Sequence, residues 1–249
     1  MTNILNHFGF YLFLHLTTYF FFVNSLSEID SLEYKLFDDL TKNYSKNVRP
    51  VKNWNDTLDV FINVELKKIA NVAEYHQSIL IYVQLEMIWN DAYLTWDPSS
   101  YGSINSIMLP LDKIWIPDLH LFNSAAENDR IYPSIVQVFS NGTVKAYPIN
   151  QLYAHCAFDF DHFPFDTQTC DFMIGNVVEK SKVKIWLTSA VKKDYLIPNY
   201  EWNFISLKDR PEFELSVPGT LDQNDWFSND WSVSMFTLGN WKHSFLFFY

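Results

Sequence analysis

The only two cysteines, Cys156 and Cys170, bracket thirteen residues, AFDFDHFPFDTQT, built around the run Phe163-Pro164-Phe165-Asp166. Cysteine pairs at this spacing are common, but this aromatic and acidic filling is not. An even cysteine count suits a disulfide if the chain is exported, and the first residues bear on that.

From Phe8 to Val23 runs an apolar segment rich in Phe, Leu and Tyr, followed by the small and polar Asn24-Ser25-Leu26-Ser27. It reads as a signal peptide cut between Ser25 and Ser27, which assigns residues 1–26 to the signal. No Lys or Arg precedes it, and His15, Thr17 and Thr18 interrupt it. A membrane anchor is the rival reading and needs about twenty apolar residues. Three glycosylation sequons agree with export: Asn43-Tyr44-Ser45, Asn55-Asp56-Thr57 and Asn141-Gly142-Thr143.

The 249 residues are 48% hydrophobic and 18% aromatic with only six glycines, enough to fill a core and suited to strands rather than disorder. A net charge of -11 argues against a nucleic-acid partner, which needs a basic face. It suits attraction of a cationic ligand, or simply solubility.

Residues 28–44 carry Ile29, Leu32, Leu36, Phe37 and Leu40 at helical spacing, with Asp30 or Ser31 as cap and acidic residues early. Arg49-Pro50-Val51 ends the helix and starts extended chain. Alternation then takes over: Val60, Ile62, Val64 and Leu66 share one strand face, as do Ile79, Ile81, Val83, Leu85 and Met87. Residues 135–139 and 143–147 flank Asn141-Gly142, a hairpin signal. Further strands are expected at 183–187, 202–207, 212–217 and 231–238, with a polar excursion over 218–230. The expected fold is all-β: one domain, an immunoglobulin-like β-sandwich of about ten strands with an N-terminal α-helix.

Enzyme readings find no support, for the chain has no Gly-rich phosphate loop, G-x-S-x-G or H-E-x-x-H. The seven histidines, His155 and His162 included, show no metal-ligand spacing, so neither metal nor cofactor is expected. What stands out is a series of Trp- and Pro-anchored motifs. Trp89-Asn90-Asp91-Ala92-Tyr93-Leu94-Thr95-Trp96 precedes Asp97-Pro98, and Trp115-Ile116-Pro117-Asp118 leads into Leu121-Phe122-Asn123-Ser124-Ala125. Plain core packing explains each tryptophan singly.

As a set, with Arg49-Pro50-Val51, the Phe-Pro-Phe-Asp loop, Glu201-Trp202 and Lys242-His243, they resemble the Cys-loop receptors, pentameric neurotransmitter-gated channels, in their nicotinic acetylcholine receptor branch. Order and spacing agree from about residue 30 to 249. The resemblance implies that residues 27–243 are the extracellular ligand-binding domain, that Cys156 and Cys170 are bonded, and that homologous subunits form a ring of five. It implies that Phe163, Pro164, Phe165 and Asp166 transmit binding to the gate. The implied localisation is the extracellular, synaptic side of the plasma membrane, and the implied ligand is a small neurotransmitter-like molecule held between neighbours.

In that family an aromatic cage holds an ammonium by cation–π contacts, each about 0.5–2 kcal/mol. Here the corresponding positions are depleted. On the principal face Phe122 stands for a tyrosine and Val177 for a tryptophan, and no vicinal cysteine pair follows Cys170. On the complementary face Gln84 stands for a tryptophan, beside Lys145 and Tyr147, and a lysine there repels an ammonium. Trp226 and Phe227, in the polar excursion, could restore part of the principal wall or simply pack in a hairpin. A divergent, non-α subunit is therefore expected, assisting other subunits or binding something other than acetylcholine.

Residues 244–249, Ser-Phe-Leu-Phe-Phe-Tyr, are too few to span a bilayer and read as the start of a truncated first membrane helix. An incomplete channel subunit, tied to the membrane by helices beyond this sequence, is the favoured expectation. The alternative is a secreted, pore-less ligand-binding protein of the same fold. An unrelated adhesion domain fits poorly, because its bridge would span two sheets.

Overall fold

In the computed structural model the described residues are 32–127, 130–131, 136–161, 166–190, 196–199, 202–204, 206–210 and 231–243. The helix α1 covers residues 32–41, where Leu36 and Leu40, one turn apart, are buried and Leu32 and Phe37 half-buried beside them. Burying each leucine is worth about 2 kcal/mol, which docks a helix too short to persist alone. Tyr44 already lies outside the helix, which ends sooner than the spacing predicts. The predicted caps, Asp30 and Ser31, lie outside the described residues.

Thirteen strand segments follow among the described residues: β1 Leu58–Ala73, β2 Ser78–Thr95, β3 Ser106–Leu109, β4 Leu119–Leu121, β5 Arg130–Ile131, β6 Val136–Phe139, β7 Asn141–Ala146, β8 Ile149–His155, β9 Thr167–Glu179, β10 Val183–Ala190, β11 Trp202–Asn203, β12 Ser206–Arg210 and β13 Trp231–His243. They form two sheets. One has the order β10-β1-β2-β7-β6-β3 with β8 also on β2, and the other β11-β13-β9-β4-β5 with β12 also on β13. Several segments are pieces of one path. β7 and β8 both run along β2 and are separated at Tyr147-Pro148, where proline cannot donate to the ladder. The predicted run 202–207 is likewise divided, into β11 and β12. The strand predicted at 212–217 and the excursion over 218–230 lie outside the described residues.

Period-two alternation puts Val60, Ile62, Val64 and Leu66 of β1, and Ile79, Ile81, Val83, Leu85 and Met87 of β2, in the core between the sheets, all as the sequence predicts. Phe172 and Ile174 of β9 and Leu119 and Leu121 of β4 meet them from the second sheet. β1 and β2 pair antiparallel, whereas β1 and β10 pair parallel, from Leu58 with Val183 to Glu65 with Ala190.

The two ends of the sandwich differ. One carries the β1–β2 turn, where Gln77 adopts a left-handed φ of 49°, together with the disulfide loop. The other carries α1, the loop through residues 49–57 and the β6–β7 hairpin. In that hairpin Gly142 has φ 86°, and a Cβ there would lie 2.5 Å from the Asp91 carbonyl oxygen, so both backbone angle and space demand glycine.

Candidate functional site

The disulfide joins Cys156, just after β8, to Cys170 in β9, with the Cα atoms 5.2 Å apart and both residues buried. The Cys156 amide donates to the Gln77 carbonyl at 2.8 Å, and the Phe158 amide donates to Gln77 Oε1 at 2.8 Å. The β1–β2 turn is thereby fastened to the loop. Inside the loop the buried Gln168 acts as a clasp. Its Nε2 donates to the Asp159 carbonyl and to Asp166 Oδ2, both at 2.5 Å, while its Oε1 accepts from the Asp159 amide at 2.8 Å. Of the four loop residues predicted to act in gating, Asp166 is buried in this network, and Phe163, Pro164 and Phe165 lie outside the described residues.

Gln168→Ala leaves the Asp159 groups and the Asp166 carboxylate without this partner, at an expected cost of about 1–3 kcal/mol. Hydrogen exchange at the Asp159 amide should accelerate well beyond the change in global stability. Unchanged exchange there would refute the clasp.

The complementary-face residues come together on the outer face of the seven-stranded sheet. Gln84 on β2 lies opposite Glu65 of β1 and Ile149 of β8, and Lys145 on β7 lies opposite Ile88 of β2. Tyr147 follows at the end of β7, half-buried. Lys145 does not stand as an isolated positive charge: its Nζ lies 3.1 Å from Glu86 Oε1, and Asn63 Nδ2 donates to Glu86 Oε2 at 3.0 Å. Thr188 of β10 donates in turn to Asn63 Oδ1. A polar ladder therefore crosses β10, β1, β2 and β7, and Glu86 offsets the repulsion that Lys145 alone would exert. Beside Gln84, Lys67 Nζ sits 2.6 Å from Glu65 Oε1.

The principal-face residues lie on the other sheet. Phe122, half-buried, follows β4 and donates its amide to the Met173 carbonyl at 2.8 Å. Val177 lies on β9 with 50% of its surface exposed, two residues past Gly175, the partner of His120. Asp118 accepts from Arg130 Nη2 at 3.5 Å, a half-exposed pair that contributes little stability, and lies 3.5 Å from Nε2 of the largely buried His120. Trp226 and Phe227 lie outside the described residues. One chain thus holds the two groups of site residues on different sheets.

The remaining motif residues build the frame. Asp91, fully buried, accepts from Tyr44 Oη at 2.6 Å and from the Tyr93 and Leu94 amides at 2.9 and 3.2 Å. Tyr44 Oη itself accepts from the Trp115 amide at 3.1 Å. Burial pushes the Asp91 carboxyl above its usual range although these donors pull the other way, and burial with the Asp91 neighbour pushes the Tyr44 phenol up. Trp89 and Trp115 meet edge to face at 6.2 Å, and Trp96 Nε1 donates to the Ile104 carbonyl at 2.7 Å, so packing accounts for all three. Asn123 ties three segments, donating to the Asp171 and His155 carbonyls and accepting from the Met173 amide.

Gln77, Gln168, Glu86 and Asn63 carry roles that sequence reading did not assign. Gln168 was visible as the Gln of the Phe-Pro-Phe-Asp-x-Gln-x-Cys pattern, but Glu86 and Asn63 emerge only once strand register is known. Among the described residues no group of three or more His, Cys, Asp or Glu side chains could hold a metal, and no helix is long and apolar enough to cross a membrane.

A family model described as "Neurotransmitter-gated ion-channel ligand binding domain" matches residues 33–217. Acetylcholine receptor subunit alpha-type acr-16 of Caenorhabditis elegans is 37% identical over 145 residues, 58% of this chain and 29% of the relative. Neuronal acetylcholine receptor subunit alpha-10 of Rattus norvegicus is 33% identical over 183 residues, covering 72% and 41%. Acetylcholine receptor subunit beta-like 1 of Drosophila melanogaster is 36% identical over 186 residues, covering 74% and 34%. The chain thus spans well under half the length of these relatives. The helix, the two sheets, the bonded cysteine loop and these matches place the chain in the neurotransmitter-gated ion-channel ligand-binding domain family, on its acetylcholine receptor side.

Proposed function

We propose that this domain, residues 27–243, is the extracellular part of a receptor subunit that assembles with homologous subunits in a ring of five at the plasma membrane. It serves there as a divergent, non-α partner. The observation that carries this reading is the Thr188–Asn63–Glu86–Lys145 ladder, which runs beside Gln84, where the family resemblance calls for a tryptophan. A paired carboxylate and ammonium with amide and hydroxyl neighbours favour a polar or zwitterionic group over a bare ammonium. Phe122 and Val177 lie on the other sheet, so a neighbouring copy or subunit supplies the second half of any site. The half-exposed Val177 offers an apolar contact without a π face.

The test is titration of the purified chain with acetylcholine, a quaternary ammonium probe, followed by tryptophan fluorescence and calorimetry. No saturation is expected below the millimolar range. The double variant Gln84→Trp/Val177→Trp restores two rings at about 0.5–2 kcal/mol each and should bind at least fivefold tighter than the unmodified chain. Saturable micromolar binding by the unmodified chain would overturn the reading.

A further inference from the structure

At the end of the sandwich away from the disulfide loop lies a groove of about 570 Å³ between the loop 50–57 and the outer face of the seven-stranded sheet. That volume suits a ligand of drug-like size. Its lining combines the apolar Val51, Phe61, Ile88 and Ala92 with the polar Lys52, Asp56, Asp59, Asn90 and Thr143. Phe61 is 49% exposed and stacks on Trp186 with ring centroids 6.5 Å apart, extending the apolar lining along the surface.

Two sequons border this groove. Asp56 and Thr57, the second and third residues of the Asn55 sequon, form part of its wall, and Thr143 of the Asn141 sequon lines it as well. Asn55 itself is exposed. The loop bearing it is held firmly. Arg49 donates to the carbonyls of Trp54, Asp56 and Lys182, Thr57 Oγ1 donates to the Ser181 carbonyl at 2.7 Å, and Lys182 Nζ sits 4.9 Å over the Trp54 ring. A group attached to the exposed Asn55 therefore leaves from a fixed loop, one residue from the groove wall at Asp56. Asn141 is less well placed, because its side chain is engaged in its own hairpin, where Oδ1 accepts from the Thr143 amide at 3.0 Å.

We propose that the groove is the seat of an N-linked glycan on Asn55, whose first two N-acetylhexosamine rings lie across Phe61 and Ile88. A pyranose ring has an apolar C–H face and a hydroxyl-bearing edge, matching a lining that combines an aromatic ring with carboxylate and amide groups. The seated glycan covers the Phe61 surface and fastens the loop 50–57 to β1 and β2. The inference rests on the extracellular placement proposed above but is independent of what the receptor site binds.

The test expresses the full chain in a glycosylating secretory host and follows native release of each glycan by peptide N-glycosidase, site by site, with mass spectrometry. Phe61→Ser, which leaves the sequon intact, should speed release from Asn55 about tenfold and leave any glycan on Asn43 unaffected. As a second measurement that needs no variant, amide exchange over residues 50–59 and 88–92 should rise after the Asn55 glycan is removed, independently of protein concentration. An unoccupied Asn55, or unchanged release in Phe61→Ser, overturns the proposal. Protection that depends on protein concentration also overturns it and assigns the groove to a second copy of the chain. If none of the three sequons carries a glycan, the extracellular placement falls as well, whereas a freely cleaved Asn55 glycan removes this inference alone.

Discussion

A chain in which Cys156 and Cys170 are both serine should unfold with about 3 kcal/mol less stability than the native chain. The bond closes a loop of sequence separation 14, and cross-linking a loop of that size restricts the unfolded ensemble by about this amount in the chain-entropy model. Two serine hydroxyls in buried positions add the cost of burying polar groups where none stood. In a domain of this size each kcal/mol moves the melting temperature by about 2–4 °C, so a fall of roughly 10 °C is expected. The effect should also be local first: the Cys156 and Phe158 amides, held by Gln77, should exchange faster than the amides of β1 and β2. A change below about 1 kcal/mol in urea unfolding would show that the Gln168 clasp and the Gln77 contacts hold the loop without the bond.

Asp91→Ala should be comparably damaging. The carboxylate is the acceptor for one phenol and two backbone amides in a site without solvent access, and truncation leaves all three donors unpaired. Each orphaned donor costs about 1–3 kcal/mol, so a loss of about 3 kcal/mol or more is expected. Asp91→Asn should cost less, because an amide oxygen still serves the two backbone donors, although the Tyr44 hydroxyl loses its acceptor. The pH dependence has a definite sign. The folded-state pKa of Asp91 is raised above the ordinary 3.8, so the folded state binds its proton more tightly than the unfolded chain. Its contribution to stability is complete below the unfolded value and declines as pH rises through the raised one. The advantage of the native chain over Asp91→Asn should therefore shrink from pH 3.5 upward, read as the difference in urea midpoints. A gap that widens with pH would contradict the burial argument.

What could be read directly was whatever depends on near neighbours in sequence. Alternation in β1 and β2 names the core residues because one sheet face is buried and the other is not, and Asn141-Gly142 marks a hairpin because few residues accept that backbone. Register and long-range pairing were beyond such reading. The repulsion expected of Lys145 concerns one residue alone, whereas its field is offset by Glu86, 59 residues away and adjacent only through the β2–β7 pairing. The spacing carries α1 on to Tyr44, but the helix ends at residue 41 and the Tyr44 hydroxyl bonds instead to Asp91 and the Trp115 amide. The break at Tyr147-Pro148 is a local proline effect, but that both halves remain on β2 is not a local fact.

The parallel pairing of β1 with β10 also has a consequence for how the chain is made. Asp59 and Trp186, whose side chains bond across that pair, are 127 residues apart. A ribosome adding about 5–20 residues per second needs on the order of ten seconds between them. The β1–β2 hairpin can close early, but the outer edge of β1 from Leu58 to Glu65 then waits, with its hydrogen-bonding groups unpaired and Val60, Ile62 and Val64 awaiting cover. Exposed strand edges of this kind recruit other strands, and long-range pairings form slowly. Both cysteines emerge before β10 does, so the covalent bond can form while the sheet is still open. Biogenesis is therefore the stage at which this domain is most vulnerable to non-native pairing with its own copies.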